Sequence, residues 1–256
     1  MKVYLKKGET LEGIREACRI AATALGRLLQ FIQVGMCTYD IDQEGKRILN
    51  ELGAKSACFH YKMGDLSFPS HTCISVNEEV VHGIGRLSKV IQEGDLVSLD
   101  VVVNYKGFIG DNARSIILGE ATIEAKNLLD CTKDALFSGI QQAREGNRVG
   151  DISNAIQVYC EKRGYSLVRE FVGHGVGQKM HEEPQIPNFG KRNTGPRLKA
   201  GMVLAIEPMV NQGRPDIRFL EDGWTAVTID KKLSAHFEHT VLVTKNDPEI
   251  LTLPFS

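Results

Sequence analysis

The sequence predicts an α+β chain made of two related halves. Three observations predict it: helical and strand-like apolar patterns are interspersed along the whole chain, a glycine-bounded helical segment occurs twice, and so does a run of glycine, strand and acid. With 256 residues, 42% of them hydrophobic and 25% charged, the chain is long enough for a sizeable core, as one domain or as two tightly packed halves.

Residues 12–32 and 121–143 carry apolar side chains at helical spacing. After the first of these, Gly35, Asp40, Ile41 and Gly53 are matched by Gly146, Asp151, Ile152 and Gly164, every pair 111 residues apart. The segments they frame are helix-compatible. Asp40 and Asp151 stand near the start, where a carboxylate caps free amides, and Gly53 and Gly164 stand as left-handed C-terminal stops. In the second repeat, Gly94 leads a short apolar run ending at Asp100, and Gly201 leads one ending at Glu207, the acid six residues after the glycine each time. Residues 97–103, 203–210, 225–229 and 240–244 read as strands. The expected organisation is one catalytic domain over 1–256 whose halves are approximately 1–120 and 121–256. Chance similarity is the competing account, because Gly-bounded helices and strands are common.

A net charge of -1 and a pI near 6.7 supply no global basic field for nucleic acid, and the basic residues among 191–199 read as a solvated loop. The six cysteines are dispersed with no Cys-x-x-Cys pair, which predicts reduced, mostly buried thiols. No apolar run approaches the roughly 20 residues of a membrane-spanning helix. Lys6, Lys7 and Glu9 replace a signal-peptide core, so a cytoplasmic protein without membrane contact is expected.

The chemistry concentrates at strand ends. Asp100 and Asp111 flank two strand-like runs around the polar turn 104–107. A hairpin centred between Tyr105 and Lys106 would set them directly opposite, with Cβ atoms about 4.5 to 5.5 Å apart, a destabilising arrangement for like charges unless something positive sits between. Glu207 ends the matching strand, and Pro208 cannot continue the ladder. Glu238 enters an apolar strand, and His174 lies in a glycine-rich loop where backbone comes close to a ligand. Taken singly, a strand-end acid is usually solvated or salt-bridged. Together, four carboxylates and one imidazole form a hard, oxygen-rich set suited to two divalent ions and metal-assisted hydrolysis, not to a thiolate-rich structural site.

Five motifs then occur in order: Val-Val-His-Gly at 80–83; Asp100 with Gly110 and Asp111; Gly-His-Gly-Val-Gly at 173–177 followed by His-Glu-Glu-Pro at 181–184; Ile-Glu-Pro-Met at 206–209; and Glu-His-Thr at 238–240. Over nearly its full length the chain resembles type I methionine aminopeptidases. The resemblance implies a pita-bread fold, a curved antiparallel sheet backed by helices with pseudo-twofold internal duplication. It implies two divalent cations (cobalt, manganese, iron or zinc) on Asp100, Asp111, His174, Glu207 and Glu238, with Asp111 and Glu238 bridging. His82 and His181 would contact the substrate backbone, and Glu207 would help move the proton of the attacking water. Phe68, Cys73, Met180 and Trp224 would line the methionine pocket. The activity implied is removal of initiator methionine from the N-termini of nascent polypeptides and peptides, with a small second residue preferred, and a monomer is expected.

Two departures bear on substrate fit. Leu66, Ser67, Phe68 and Pro69 stand where the family has His-Gly-aromatic-Pro, and Met180 replaces a usually aromatic residue. His60, His71, His236 and His239 read as structural, although His236 alternates onto the same strand face as Glu238. The rivals are a related aminopeptidase or dipeptidase with another first-residue preference, and a non-catalytic pita-bread binding protein. Prolidase-like enzymes are disfavoured by the absence of a large N-terminal domain, and type II enzymes by the lack of a long insertion between His181 and Glu207.

Overall fold

Four α-helices, each at a predicted position, appear in the computed structural model of the chain, which describes residues 3–253: α1 Gly8–Phe31, α2 Thr38–Glu51, α3 Ile123–Ile140 and α4 Val149–Glu161. Helix α1 buries Ile14, Ala17, Cys18, Ala21, Leu25 and Leu28, a stripe at three- and four-residue spacing that faces the sheet. The paired glycines adopt paired conformations: φ is 92° and 95° at Gly35 and Gly146, 69° and 82° at Gly53 and Gly164, and 86° and 93° at Gly94 and Gly201. A side chain would strain each of these left-handed positions, so the duplicated glycines mark duplicated turns.

The two predicted caps differ. Asp151 accepts the Arg148 N–H at 2.7 Å and the Asn193 N–H at 2.9 Å. Asp40 points out to solvent and makes no cap bond to α2. Asp42, two residues on, is buried and ties α2 to a neighbouring segment instead, accepting the N–H groups of His71 at 2.7 Å and Thr72 at 2.9 Å. Two residues along a helix turn the side chain by about 200°, from solvent to interior.

The longest strands, β1 Leu96–Tyr105 and β2 Phe108–Ile117, form a hairpin. Its register corrects the one expected: Tyr105 pairs with Phe108, Asp100 with Ala113, and Asp111 with Val102. The chain turns on Lys106 and Gly107 alone, with φ 52° and 86°, as a two-residue turn with both φ values positive. The centre lies one residue on, between Lys106 and Gly107, so every cross-strand partner is displaced by two residues. Because strand faces alternate with period two, both aspartates still point to one face, as diagonal neighbours.

These strands belong to a nine-stranded sheet whose pairs are all antiparallel. Its main path runs from Lys55–Ser56 through β1 and β2 to Glu238–Leu242, then Val203–Ile206, Gly173–Gly175 and Glu182–Ile186. In chain order we label Gly173–Gly175 β3, Val203–Ile206 β4, Met209–Asn211 β5, Ser234–His236 β6 and Glu238–Leu242 β7. The strand expected over 203–210 is thus split into β4 and β5 at Glu207 and Pro208. The one expected over 240–244 begins two residues earlier, at Glu238, and that over 225–229 narrows to Ala226–Thr228.

One buried apolar cluster joins α1, α2 and β1, and another joins α3 and α4 to the strands of the second half. A smaller one, containing Cys18, Phe68, Cys73, Val203 and Trp224, draws on both halves. All six cysteines are free, and only Cys37 is not buried. Among the described residues no helix is long and apolar enough to cross a membrane.

Helix α1 and β2 meet at Gly110, where an added Cβ would stand 2.4 Å from the carbonyl carbon and oxygen of Ala17. Neither backbone can yield without parting the helix from the sheet. Gly110→Ala should therefore destabilise by about 2 kcal/mol and lower the melting temperature by roughly 4–8 °C. An unchanged melting curve would show that this contact is looser than the geometry states.

Candidate metal centre

The sheet itself assembles the acids. Ala113 of β2 pairs with Asp100 on one side and with Glu238 on the other, so the three form one rung across β1, β2 and β7, with Asp111 two residues along β2 on the same face. Thr240 Oγ1 donates to the Asp111 carbonyl at 2.7 Å and ties β7 to β2 beside them. His174 arrives from β3, where its glycine neighbours have a steric reason. A Cβ on Gly173 would lie 2.4 Å from the Ala205 oxygen, and one on Gly175 2.4 Å from the Glu183 oxygen. The His174 Nδ1–H donates to the Gly175 carbonyl at 3.0 Å, which leaves the Nε2 lone pair for the site. That Nε2 stands 3.4 Å from Glu207 Oε1 and 4.0 Å from Asp111 Oδ2.

Glu207 reaches the cluster because the ladder stops there: Pro208 has no N–H, and the Glu207 carbonyl accepts the Asn188 Nδ2 at 3.0 Å instead. Among the described residues, two sets of donor atoms each lie within 4.8 Å of one another: Asp111 with His174 and Glu238, and Glu207 with His236 and Glu238. Asp100 Oδ1, Asp111 Oδ1, Glu238 Oε1 and His236 Nε2 are buried with no hydrogen-bond partner in the protein.

Burial pushes the Asp100 carboxyl up to about 6, against the favourable nearness of His236. Burial first, and then the charges of Asp100 and Glu207, hold Asp111 well above the ordinary range. Glu238 is raised likewise, by burial and then by Asp111 and Glu207. Unpaired buried oxygens that resist ionisation are what a divalent cation relieves, and an oxygen-rich set with imidazole suits such ions.

The five predicted ligands, His82, His181 and the four predicted pocket residues all line one cavity of about 270 Å³. Phe68 and Trp224 meet edge to face at 5.2 Å, buried beside Cys73, with Met180 half-buried against them. His82 holds φ 59° and packs edge-on against Phe171 at 5.0 Å. Burial lowers its pKa to about 4, so it is neutral at pH 7. His181 is exposed at the mouth, its ring 4.5 Å from that of His174 and its Nδ1 3.0 Å from the Tyr61 hydroxyl.

The same cavity includes Tyr61, Met63, Phe171 and Phe219, which the sequence reading passed over, and His236, which it read as structural while placing it on the strand face of Glu238. His236 had a signal, its place two residues before Glu238. The aromatic rim had none, because its members lie far apart in sequence. Leu66 is exposed against Gly223 and does not line the cavity.

A dependence on pH follows. The raised carboxyls bind more protons in the folded, metal-free chain than in the unfolded one. Their contribution to its stability is therefore present at low pH and lost as pH rises, for Asp100 from its ordinary 3.8 to about 6. Cations need the ionised forms, so the rise in melting temperature caused by manganese should be small near about pH 4.5 and grow toward about pH 7.5. Paired melting curves with manganese and with chelator test this; a shift that does not vary with pH would contradict it.

The profile of metallopeptidase family M24 matches residues 12–245. A methionine aminopeptidase of Bacillus subtilis is 46% identical over 250 residues, covering 98% of this chain and 99% of its own. The crystal structure of a methionine aminopeptidase from Thermotoga maritima superposes with a TM-score of 0.93 at 42% identity, covering 98% and 99% of the two chains. A prolidase from Pyrococcus furiosus shares the fold alone, with a TM-score of 0.78 at 24% identity and 66% of its length covered. The chain therefore belongs to metallopeptidase family M24, among the methionine aminopeptidases with their pita-bread fold, metal-dependent hydrolases that remove N-terminal methionine.

Proposed function

We propose that the chain removes methionine from polypeptides with a small second residue, using two divalent cations that Asp100, Asp111, His174, Glu207 and Glu238 would hold. The observation that carries this reading is the buried cluster in which Asp100 Oδ1, Asp111 Oδ1 and Glu238 Oε1 lack any protein partner. Cobalt, manganese, iron and zinc all suit such donors. When bound, the cations supply Lewis acidity that activates water and stabilises charge on the scissile carbonyl oxygen.

The chain's own groups do the rest. Glu207 takes the proton of the attacking water and delivers it to the leaving amine. His82 is neutral at pH 7 and donates to the substrate backbone. The Tyr61 hydroxyl occupies Nδ1 of His181, which keeps Nε2 for the substrate carbonyl. Phe68, Cys73, Met180 and Trp224 enclose an unbranched thioether and exclude water. Phe171 packs edge-on against His82 in the wall of the same cavity, which supports a small second residue. The chain works as one catalytic domain of two halves, approximately 1–120 and 121–256, and as a cytoplasmic monomer. Its net charge of -1 supports the absence of a nucleic-acid partner.

Methionine release from Met-Ala-Ser should exceed leucine release from Leu-Ala-Ser by roughly 10- to 200-fold, because a branched near-isostere clashes. Met-Lys-Ser should be spared and chelator should stop every reaction. Glu207→Gln should lose more than about tenfold in rate, about 1.4 kcal/mol of barrier, with little change in melting temperature. Faster cleavage of Leu-Ala-Ser, or a Glu207→Gln rate near wild type, would defeat the reading.

A further inference from the structure

We propose that His236 is a sixth metal ligand of this centre, so that an imidazole stands on each side of Glu207; the proposal rests on the two-cation reading above. His236 is 2% exposed, and its Nε2 is among the buried atoms without a partner. An orphaned polar nitrogen inside a protein is costly unless a ligand takes it. The nitrogen lies 3.6 Å from Glu207 Oε2, and with Glu207 and Glu238 it makes one of the two donor groups contained within 4.8 Å.

The distance separates two roles. A separation of 3.6 Å is too long for a hydrogen bond between the pair. Two ligands on one ion, each bonded at about 2.0–2.2 Å, stand about 3–3.6 Å apart when they subtend roughly 90–120°. The His174 Nε2 to Glu207 Oε1 distance of 3.4 Å falls in the same range. Glu207 thus has an imidazole nitrogen at ligand-to-ligand spacing from each of its oxygens.

The backbone that carries the ring is also held in place. Ser115 of β2 accepts the His236 N–H at 2.9 Å and donates to the His236 carbonyl at 2.8 Å, while its Oγ is 2.7 Å from that of Ser98 on β1. All three residues are buried. This clamp does for β6 what a ladder pair would do, beside the strand that carries Asp111. The next residue, Phe237, joins the apolar cluster of the second half, and Glu238 returns to the site. His236 and Glu238 therefore converge on the cluster by strand alternation.

X-ray absorption on the cobalt-loaded protein reads the imidazoles directly. Wild type should show scattering from two imidazoles per chain and His236→Ala from one, with cobalt affinity weakened about tenfold or more. Manganese affinity should fall less, because nitrogen donors favour the later ions. His236→Gln, which keeps a polar side chain of similar reach, should also lose the second imidazole while melting like wild type in chelator, so misfolding is distinguished from ligand loss. An unchanged imidazole count and cobalt affinity in both variants would overturn the proposal and leave the five-ligand reading standing. A wild-type chain that binds no cobalt with histidine nitrogen would sink both.

Discussion

Asp100, Asp111 and Glu238 lie on one face of one sheet, two of them flanking the same alanine, in surroundings that remove water from all three. Such a cluster is unfavourable in its ionised form, since each carboxylate is penalised first by burial and Asp111 and Glu238 then by their neighbours' charges. Much of the architecture serves to hold it against that tendency. The hairpin of two ten-residue strands with its tight turn fixes the two aspartates. The Thr240 bond binds β7 to β2 at the level of Asp111. The Gly110 contact lets α1 press on the back of the same strand. Preorganisation of this kind means that a cation meets its ligands already in position, so little of its binding energy is spent on ordering them.

The duplication explains where the cluster sits. Asp100 and Glu207 each stand six residues after equivalent left-handed glycines, yet Asp100 lies inside a ten-residue strand and Glu207 just past the end of a four-residue one. Asp100 continues into a paired hairpin, whereas Pro208 stops the ladder at Glu207 and turns a ladder residue into a site residue. The first half supplies two aspartates; the second supplies His174, His236 and both glutamates. The cluster containing Phe68, Cys73, Val203 and Trp224 likewise needs both halves. Neither half holds the donor set or the apolar pocket alone, which gives a physical reason for the halves to stay fused in one sheet.

The helices and the acids of the sheet were legible because their signals are local: apolar periodicity, glycines at 111-residue offset, and acids six residues after a glycine. The strand bounds were not, and Asp100 and Asp111 lie inside ten-residue strands where strand ends were expected. Nor was register. The sequence offers a polar stretch at 104–107, and choosing its middle overlooks that a residue and a glycine, Lys106 and Gly107, suffice for a two-residue turn. The error was an even number of residues, so the faces survived and the convergence of the aspartates with it. Asp40 illustrates the opposite case. The repeat singled it out, but helix phase gives the interior to Asp42, and a two-residue displacement that is harmless on a strand reverses direction on a helix. His236 was visible as a face-mate of Glu238 but not as buried and unpartnered, because its clamp on Ser115 spans 121 residues.

Burial also sorts the residues by how freely they can change. Asp111, Glu238, Phe68 and Cys73 are deep, while Tyr61, Met63, His181 and Phe219 line the same cavity where it meets solvent. The two departures from the family pattern fall at Leu66 and Met180, on the exposed hairpin and in the half-buried wall, and neither touches the donor set. A flexible thioether at 180 fills space that a ring would otherwise define, so the pocket wall can adjust around a side chain without disturbing the sheet that holds the ligands. The two regions are held differently: Leu66 stands on a two-stranded hairpin outside the main sheet, whereas Asp100, Asp111 and Glu238 stand on paired strands whose displacement would cost hydrogen bonds across the whole sheet.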